Sequence, residues 1–229
     1  MTGVARWNQL CMDTTGGETL GLFWAGVLGL AFESDEESGD VIGPTEGHCM
    51  AMCRVPESKT VKHRVHLDVW CNDVDELVEF GAEVVLSRAD SGFPWTVMSD
   101  PEGGEFCAFV KADPPDYRLF QVVVDAVDAE RSARWWADVF AGTPFPGDSL
   151  SWWRVRDIPG MPFQRMTFQQ VSEAKQVKNR IHWDVYGHVD NLLERGATLL
   201  RRRGGDIRWD VLADPEGNEF CVFTPPARS

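Results

Sequence analysis

Two fifteen-residue segments of the chain each combine a carboxylate and a thiol at a spacing that permits chemistry. Trp95–Phe109 reads WTVMSDPEGGEFCAF and Trp209–Phe223 reads WDVLADPEGNEFCVF, with ten identical positions. In each segment an Asp-Pro-Glu-Gly turn separates two alternating stretches, which predicts a β-hairpin. Side chains two residues apart point to the same side of a strand, so Glu105 and Cys107 share one face, as do their counterparts in the second copy. A carboxylate can accept a proton, and a thiolate can bind a soft metal ion.

Other polar residues follow the same alternation in predicted strands elsewhere. The segment RVHLDVW places His66 and Asp68 on one face and three aliphatic residues on the other. The segment IHWDVY repeats the pattern 116 positions later with His182 and Asp184. Residues 7–13 and 120–125 form a third pair of strands, which carry Gln9 and, 112 positions later, Gln121.

The aliphatic faces of these strands must pack on helices, so the polar side chains gather on the opposite, concave face. Burying that many polar groups costs several kcal/mol unless they are hydrogen-bonded, hydrated or bound to a ligand. The pattern therefore predicts a wet or ligand-filled cleft on the concave face.

The elements that position these residues repeat four times. Leu20 to Leu28 has helical spacing and Gly29 is predicted to end that helix; residues 132–140 repeat it in the second half. Four strand-helix-strands units, two in each half, predict an α+β fold with helices on one face of mostly antiparallel sheets. The internal repeat divides the chain into domains at 1–112 and 117–229, with Pro114-Pro115 in a stiff linker.

Composition narrows the class of function. The chain has 229 residues, 43% of them hydrophobic, and a net charge of −14, which disfavours nucleic acid and anionic membranes as partners. Six cysteines without paired CxxC motifs indicate reduced thiols in a cytoplasmic protein. The sequence predicts no signal peptide and no membrane span. The expected partner is a small molecule, and the expected assembly is a monomer or a homodimer.

The whole chain resembles the vicinal oxygen chelate superfamily, which includes glyoxalase I, bleomycin-resistance proteins and extradiol dioxygenases. The resemblance rests on the DPEGxEF hairpin after a Trp-x-Val strand. It also rests on a helix that ends in paired aromatics, Phe23-Trp24 and Trp135-Trp136. It implies two tandem glyoxalase-like domains, each of two paired βαβββ modules around a cup. These motifs are specific for the fold and weak for the function, because the superfamily includes both enzymes and pure binders.

The resemblance also implies a set of metal ligands in each cup. The family's ligand positions fall on Gln9, His66 and Cys107, and then on Gln121, His182 and Cys221. The family's third ligand is normally Glu, whereas this chain has Cys there in both halves. A Gln-His-Cys set suits Zn²⁺ better than an oxygen-activating iron, with Ni, Mn or Fe as other divalent metals to test.

An alternative is that these residues hold no metal. The cysteines would then be small buried hydrophobes and the histidines would be hydrogen-bonded to acids, and we favour this interpretation because unligated His and Cys are common in cores. Ligand-binding residues are predicted on the polar faces of the strands; they are Trp70, Asp68, Tyr186, Asp184 and Trp153, the last with its neighbour Trp152 as the alternative.

Two functions are therefore open. In the first, a metal-independent protein binds a small, possibly aromatic molecule in each cup, as bleomycin-resistance proteins do. In the second, a metal-dependent lyase, isomerase or extradiol-type dioxygenase acts on a substrate with vicinal oxygens, and Glu105 or Glu219 is the catalytic base or a ligand. The sequence does not decide whether the protein is an enzyme.

Overall fold

The computed structural model describes residues 3–35, 38–149, 151–205 and 207–226. The helices are α1 (Glu18–Leu28), α2 (Val74–Glu79), α3 (Arg88–Ser91), α4 (Ala129–Phe140) and α5 (Val189–Leu193). The strands are β1 (Ala5–Thr14), β2 (Ala31–Glu33), β3 (Asp40–Ile42), β4 (Met50–Arg54), β5 (Val65–Cys71), β6 (Glu83–Leu86), β7 (Thr96–Ser99), β8 (Glu105–Val110), β9 (Leu119–Ala126), β10 (Thr143–Pro146), β11 (Trp152–Arg156), β12 (Arg165–Gln170), β13 (Ile181–Gly187), β14 (Thr198–Arg201), β15 (Asp210–Ala213) and β16 (Glu219–Phe223).

These elements form four βαβββ modules, which confirms the predicted α+β architecture. The modules begin at β1, β5, β9 and β13, and in each the last strand pairs in parallel with the first. The predicted end of α1 is also confirmed, because Gly29 adopts a left-handed conformation that a residue with a side chain rarely takes. The short α3 was not predicted. Among the described residues, no helix is long and apolar enough to cross a membrane.

The modules combine into two eight-stranded sheets that each draw on both halves of the chain. The first sheet has the order β14-β15-β16-β13-β1-β4-β3-β2, and the second has the order β10-β11-β12-β9-β5-β8-β7-β6. Antiparallel pairing of β1 with β13 joins the outer modules, and antiparallel pairing of β5 with β9 joins the inner modules. The expectation that the two modules of each half pair with one another is therefore corrected. Residues 112–116 connect two strands of the same sheet.

The hydrophobic core lies on the helix side of both sheets. Trp24 of α1 packs against Phe106 on β8, with ring centroids 5.3 Å apart. Trp136 of α4 packs against Phe220 on β16, with centroids 5.1 Å apart. Each of these helices therefore covers the hairpin from its own half of the chain, although each sheet contains strands from both halves. This packing leaves the opposite, concave faces of the sheets to the polar residues.

Candidate functional site

Strand pairing at the centre of the second sheet brings four predicted site residues together. Asp68 on β5 lies opposite Cys107 on β8 in the parallel ladder and opposite Gln121 on β9 in the antiparallel ladder. His66 precedes Asp68 by two residues and so lies on the same face. The site is thus built from both halves of the chain, and Gln121 joins His66 and Cys107 in place of Gln9.

Both polar atoms of the Gln121 amide are hydrogen-bonded to neighbouring side chains. Its Nε2 donates to Asp68 Oδ2 at 2.5 Å, while its Oε1 accepts from Arg165 Nε at 2.6 Å and from Thr167 Oγ1 at 2.8 Å. The amide oxygen, which the predicted metal ligation would need, is therefore already used by two donors. In this arrangement Gln121 orients Asp68.

A His-Asp-Cys cluster remains that could hold a metal ion. Ligand atoms of His66, Asp68 and Cys107 all lie within 4.8 Å of one another. Asp68 Oδ1 lies 3.3 Å from His66 Nε2, yet it is buried and makes no hydrogen bond. Burial raises the pKa of the Cys107 thiol far above its ordinary value, and the field of Asp68 adds to the shift.

The first sheet carries the matching cluster. His182, Asp184 and Cys221 also bring their ligand atoms within 4.8 Å, and Gln9 Nε2 donates to Asp184 Oδ2 at 3.2 Å. Asp184 Oδ1 has no hydrogen-bond partner. Burial lowers the pKa of His182 to about 4 and raises the pKa of Asp184 to about 7, since a dry environment disfavours both charged forms.

The donor chemistry of both clusters fits a divalent cation. Each offers an imidazole nitrogen, a carboxylate oxygen and a thiol sulfur, a mixture that suits Zn²⁺ best among the metals considered. In both sheets the orphaned carboxylate oxygen is an atom that a cation would satisfy. The ligand set expected from the sequence therefore changes in one member, because an Asp takes the place of Gln.

Beside the second-sheet cluster is an open cleft of about 680 Å³, called here the second-sheet cleft. Trp70 and Phe120 lie 4.2 Å apart between ring centroids, and Phe93 stacks on Trp95 at 4.8 Å. The aromatic residues that line the cleft are Trp70, Phe93, Trp95, Phe106, Phe109, Phe120 and Trp152. The polar floor of the cleft includes His66, Asp68 and Gln121. A cleft of this size with aromatic walls and a polar floor has the character of a small-molecule site.

The predicted stacking residues fall in three different places. Trp70 lines the second-sheet cleft. Tyr186 lies on the first sheet under the guanidinium of Arg6, which is 4.7 Å from its ring centroid. Trp153 packs against the core and beneath Arg134, at 4.8 Å. Consecutive strand residues face opposite ways, so Trp152 and not Trp153 reaches the cleft.

The two predicted catalytic carboxylates are anchored by the loops that precede β5 and β13. Glu105 accepts from Lys59 Nζ at 2.9 Å and from the backbone N–H of His63 at 3.0 Å. Burial opposes ionisation, but these two donors prevail and lower the pKa of Glu105. Glu219 makes the equivalent contacts with Lys175 and the N–H of Asn179. Glu105 borders the cleft, and its role as a base stays a prediction.

The sequence did not predict that the acidic turn residues Glu102 and Asp214 join the hairpins to other elements. Asp214 accepts from Trp136 Nε1 at 3.0 Å and from the N–H of Asn218 at 2.9 Å, which ties the second hairpin to α4. Glu102 accepts from the N–H groups of Thr15 and Gly16, just before α1. The sequence signal for this role is that both copies of the turn carry the same Asp and the same Glu.

One known protein family matches both halves of this chain. The glyoxalase-like domain family matches residues 9–109 and again residues 121–223. The chain belongs to the glyoxalase-like domain family. Its two copies place it within the vicinal oxygen chelate superfamily, as the resemblance indicated. Comparison with curated proteins gives no match.

Solved structures give the same fold at low identity. Glyoxalase I from Zea mays is 14% identical with a TM-score of 0.64, and the match covers 96% of this chain and 92% of that one. A putative dioxygenase from Bacillus subtilis is 13% identical with a TM-score of 0.66, covering 99% and 87%. At such identities the likeness concerns the fold alone, so the function of this glyoxalase-like protein must be argued from its own residues.

Proposed function

We propose that this protein binds a small aromatic molecule in the second-sheet cleft. The observation that supports the proposal is the aromatic lining of a cleft of about 680 Å³ beside a polar floor. Burying apolar area there favours binding by about 25 cal/mol per Å². Stacking against Trp70, Trp95 or Trp152 would add about 0.5–1.5 kcal/mol for each ring pair.

The polar floor would orient the ligand. Asp68, Gln121 and Thr167 form a connected hydrogen-bond network, so their side chains are fixed before a ligand arrives. Asp68 Oδ1 remains as a free acceptor. A hydroxyl or amide N–H on the ligand would satisfy that oxygen, in the absence of metal.

The test uses the neutral aromatic probe naphthamide in isothermal titration calorimetry. We expect saturable binding that is weakened on the order of tenfold by Trp95→Ala, which removes one wall of the cleft. Trp209→Ala is the matched control because Trp209 occupies the equivalent place in the hairpin of the first sheet. Absence of saturable binding, or an equal loss in the two variants, would contradict the proposal.

Incubation with a catechol or a dicarbonyl probe, which carries the vicinal oxygens that naphthamide lacks, separates binding from turnover. If the protein only sequesters its ligand, the probe is recovered unchanged after incubation. Recovery of a converted product would instead support the second candidate function, a metal-dependent reaction in the same cleft.

A specific observation favours that second candidate. The His66-Asp68-Cys107 cluster keeps an unpaired carboxylate oxygen, and the first sheet repeats this arrangement with His182, Asp184 and Cys221. A divalent cation bound there would act as a Lewis acid on vicinal substrate oxygens and stabilise enolate-like charge. Glu105, at the edge of the cleft, would be the candidate base.

Elemental analysis tests this candidate without an activity assay. Protein purified without chelators should hold stoichiometric metal, and His66→Ala should lose the share bound in the second sheet. His63→Ala is the matched control, since His63 lies nearby on the loop and outside the cluster. Addition of Zn²⁺ to protein stripped of metal by a chelator should raise the Tm of wild type more than that of His66→Ala, because a ligand that binds the native state stabilises it. Metal-free protein with no thermal response would exclude the candidate.

A further inference from the structure

Two arginines occupy one wall of the second-sheet cleft. Arg154 lies on β11 opposite Thr167 of β12, and Arg165 precedes Thr167 by two residues on the same face. Both line the cleft, and the side chain of Arg154 is only 15% exposed. Burial lowers the pKa of Arg165, and the like charge of Arg154 lowers it further.

Asp68 and Asp148 offset part of the charge of Arg165, but among the described residues only the exposed Asp148 forms an ion pair with either arginine. Arg154 Nη2 lies 2.9 Å from Asp148 Oδ2, but the Asp148 side chain is 94% exposed. Arg154 Nε is buried without a hydrogen-bond partner. Within the described part of the chain, no carboxylate lies within ion-pair distance of Arg165. Its Nε bonds the Gln121 amide, and its guanidinium rests 4.6 Å from the Phe120 ring centroid. Partly desolvated cations of this kind favour a bound anion.

The duplication provides an internal comparison. Cys11 on β1 lies opposite Ala51 on β4, which in turn lies opposite Asp40 on β3. The equivalent chain of partners in the second sheet runs from Val123 through Thr167 to Arg154. The first-sheet position that matches Arg154 is therefore Asp40.

The second arginine is likewise confined to one sheet. Two residues before Ala51 stands Cys49, which is the position that matches Arg165. The pair of cations is thus present in one cup only, in a chain whose net charge is −14. Overall charge does not account for this placement, since it runs against the acidic balance of the protein.

We propose that the second-sheet cleft is specific for aromatic anions such as aromatic carboxylates. The anionic group would lie between Arg154 and Arg165, and the ring would pack against the tryptophans of the cleft. A planar guanidinium can donate two parallel hydrogen bonds to a carboxylate, so two arginines fix both its position and its orientation. This inference rests on the proposed binding function and names the ligand class of that same site.

The test compares naphthoate with its neutral isostere naphthamide by titration calorimetry. We expect naphthoate to bind more tightly on the order of 10- to 100-fold, as charge-assisted hydrogen bonds imply. Arg154→Gln and Arg165→Gln should each weaken naphthoate binding by about tenfold and leave naphthamide binding nearly unchanged. Arg156→Gln is the matched control, because Arg156 lies on the same strand but is 57% exposed and outside the cleft.

A second variant leaves both arginines in place. Asp148 competes with a ligand anion for Arg154, so Asp148→Asn should strengthen naphthoate binding and raise its preference over naphthamide. Equal affinity for the two probes, or an unchanged ratio in Asp148→Asn and in both arginine variants, would overturn this inference while leaving the proposed function intact. Failure of both probes to bind would reject the proposed function itself.

Discussion

Replacement of Glu102 by alanine tests the structural role of the repeated turn. The Glu102 carboxylate accepts hydrogen bonds from Thr14 Oγ1 at 2.6 Å and from the N–H groups of Thr15 and Gly16 at 2.9 and 2.8 Å. It also pairs with Arg180 Nη2 at 3.0 Å. The residue therefore anchors both the entry to α1 and the loop that leads into β13.

The cost of the substitution follows from these contacts. Loss of the acceptor for backbone N–H groups before a helix costs about 1 kcal/mol, as removal of an N-cap does. The Thr14 hydroxyl loses its acceptor, which adds about 1 kcal/mol. Arg180 and Glu102 are only 11% and 17% exposed, so breaking their ion pair adds about 2 kcal/mol. We expect the free energy of unfolding to fall by about 4 kcal/mol in all.

Urea denaturation followed by tryptophan fluorescence measures this change. The duplication supplies the control, Glu216→Ala. Among the described residues, the Glu216 carboxylate accepts from the N–H groups of Val127 and Asp128, at 2.9 and 3.0 Å, in an exposed setting. Its loss should cost about 1 kcal/mol. Equal destabilisation by the two variants would refute the reasoning, because it would mean that Thr14 and Arg180 contribute nothing.

Three further predictions concern buried polar groups. Burial lowers the pKa of His63 to about 4, so the unfolded chain binds more protons than the folded chain between about pH 6.5 and 4. As the pH falls through that range, the folded protein should lose up to about 3 kcal/mol of stability. Urea unfolding across the range should show a smaller loss for His63→Gln than for wild type. Trp136→Phe removes the donor to Asp214 and should cost about 1–3 kcal/mol in the same assay, whereas an unchanged midpoint would show that the bond is unimportant. Gln121→Glu places a second carboxylate beside Asp68, and its unfolding free energy should fall relative to wild type as the pH rises and the proton shared by the two carboxylates is lost; a pH-independent difference would contradict this.

The sequence was sufficient for the local elements because their signals are local. Alternation located the strands that carry His66 and His182, and helical spacing with a terminal glycine located α1. The repeated hairpin identified the duplication and, through it, the family. Each of these inferences depends on residues within one short segment.

The pairing of modules could not be predicted in the same way. β1 presents the same alternation whether its neighbour is β5 or β13, so no residue in either strand selects the partner. The regrouping of the site follows from that one choice, since Gln121 and not Gln9 reaches His66. The sequence also could not show that Asp68, and not Gln121, is the candidate metal ligand, because this depends on side-chain contacts that alternation does not specify.

The arginine pair that lines the cleft, Arg154 and Arg165, could have been predicted from the sequence of the strands that carry it. The strand WWRVR alternates, so Trp152 and Arg154 share the face that Trp153 leaves. Neither arginine has an arginine at the equivalent position of the first half, so the duplicated positions do not reveal this pair. Residues that break an internal repeat can therefore mark where one copy has specialised.

The crossing of the sheets between the halves has a consequence for any attempt to divide this protein. Cutting the chain at residues 112–116 would leave each half with two four-stranded fragments, and β1, β5, β9 and β13 would become open edges. Two copies of one half could close those edges by pairing with each other, much as two separate subunits would. The intact chain thus resembles a dimer whose subunits have been fused, and the covalent connection keeps together a cleft to which the two halves contribute different residues.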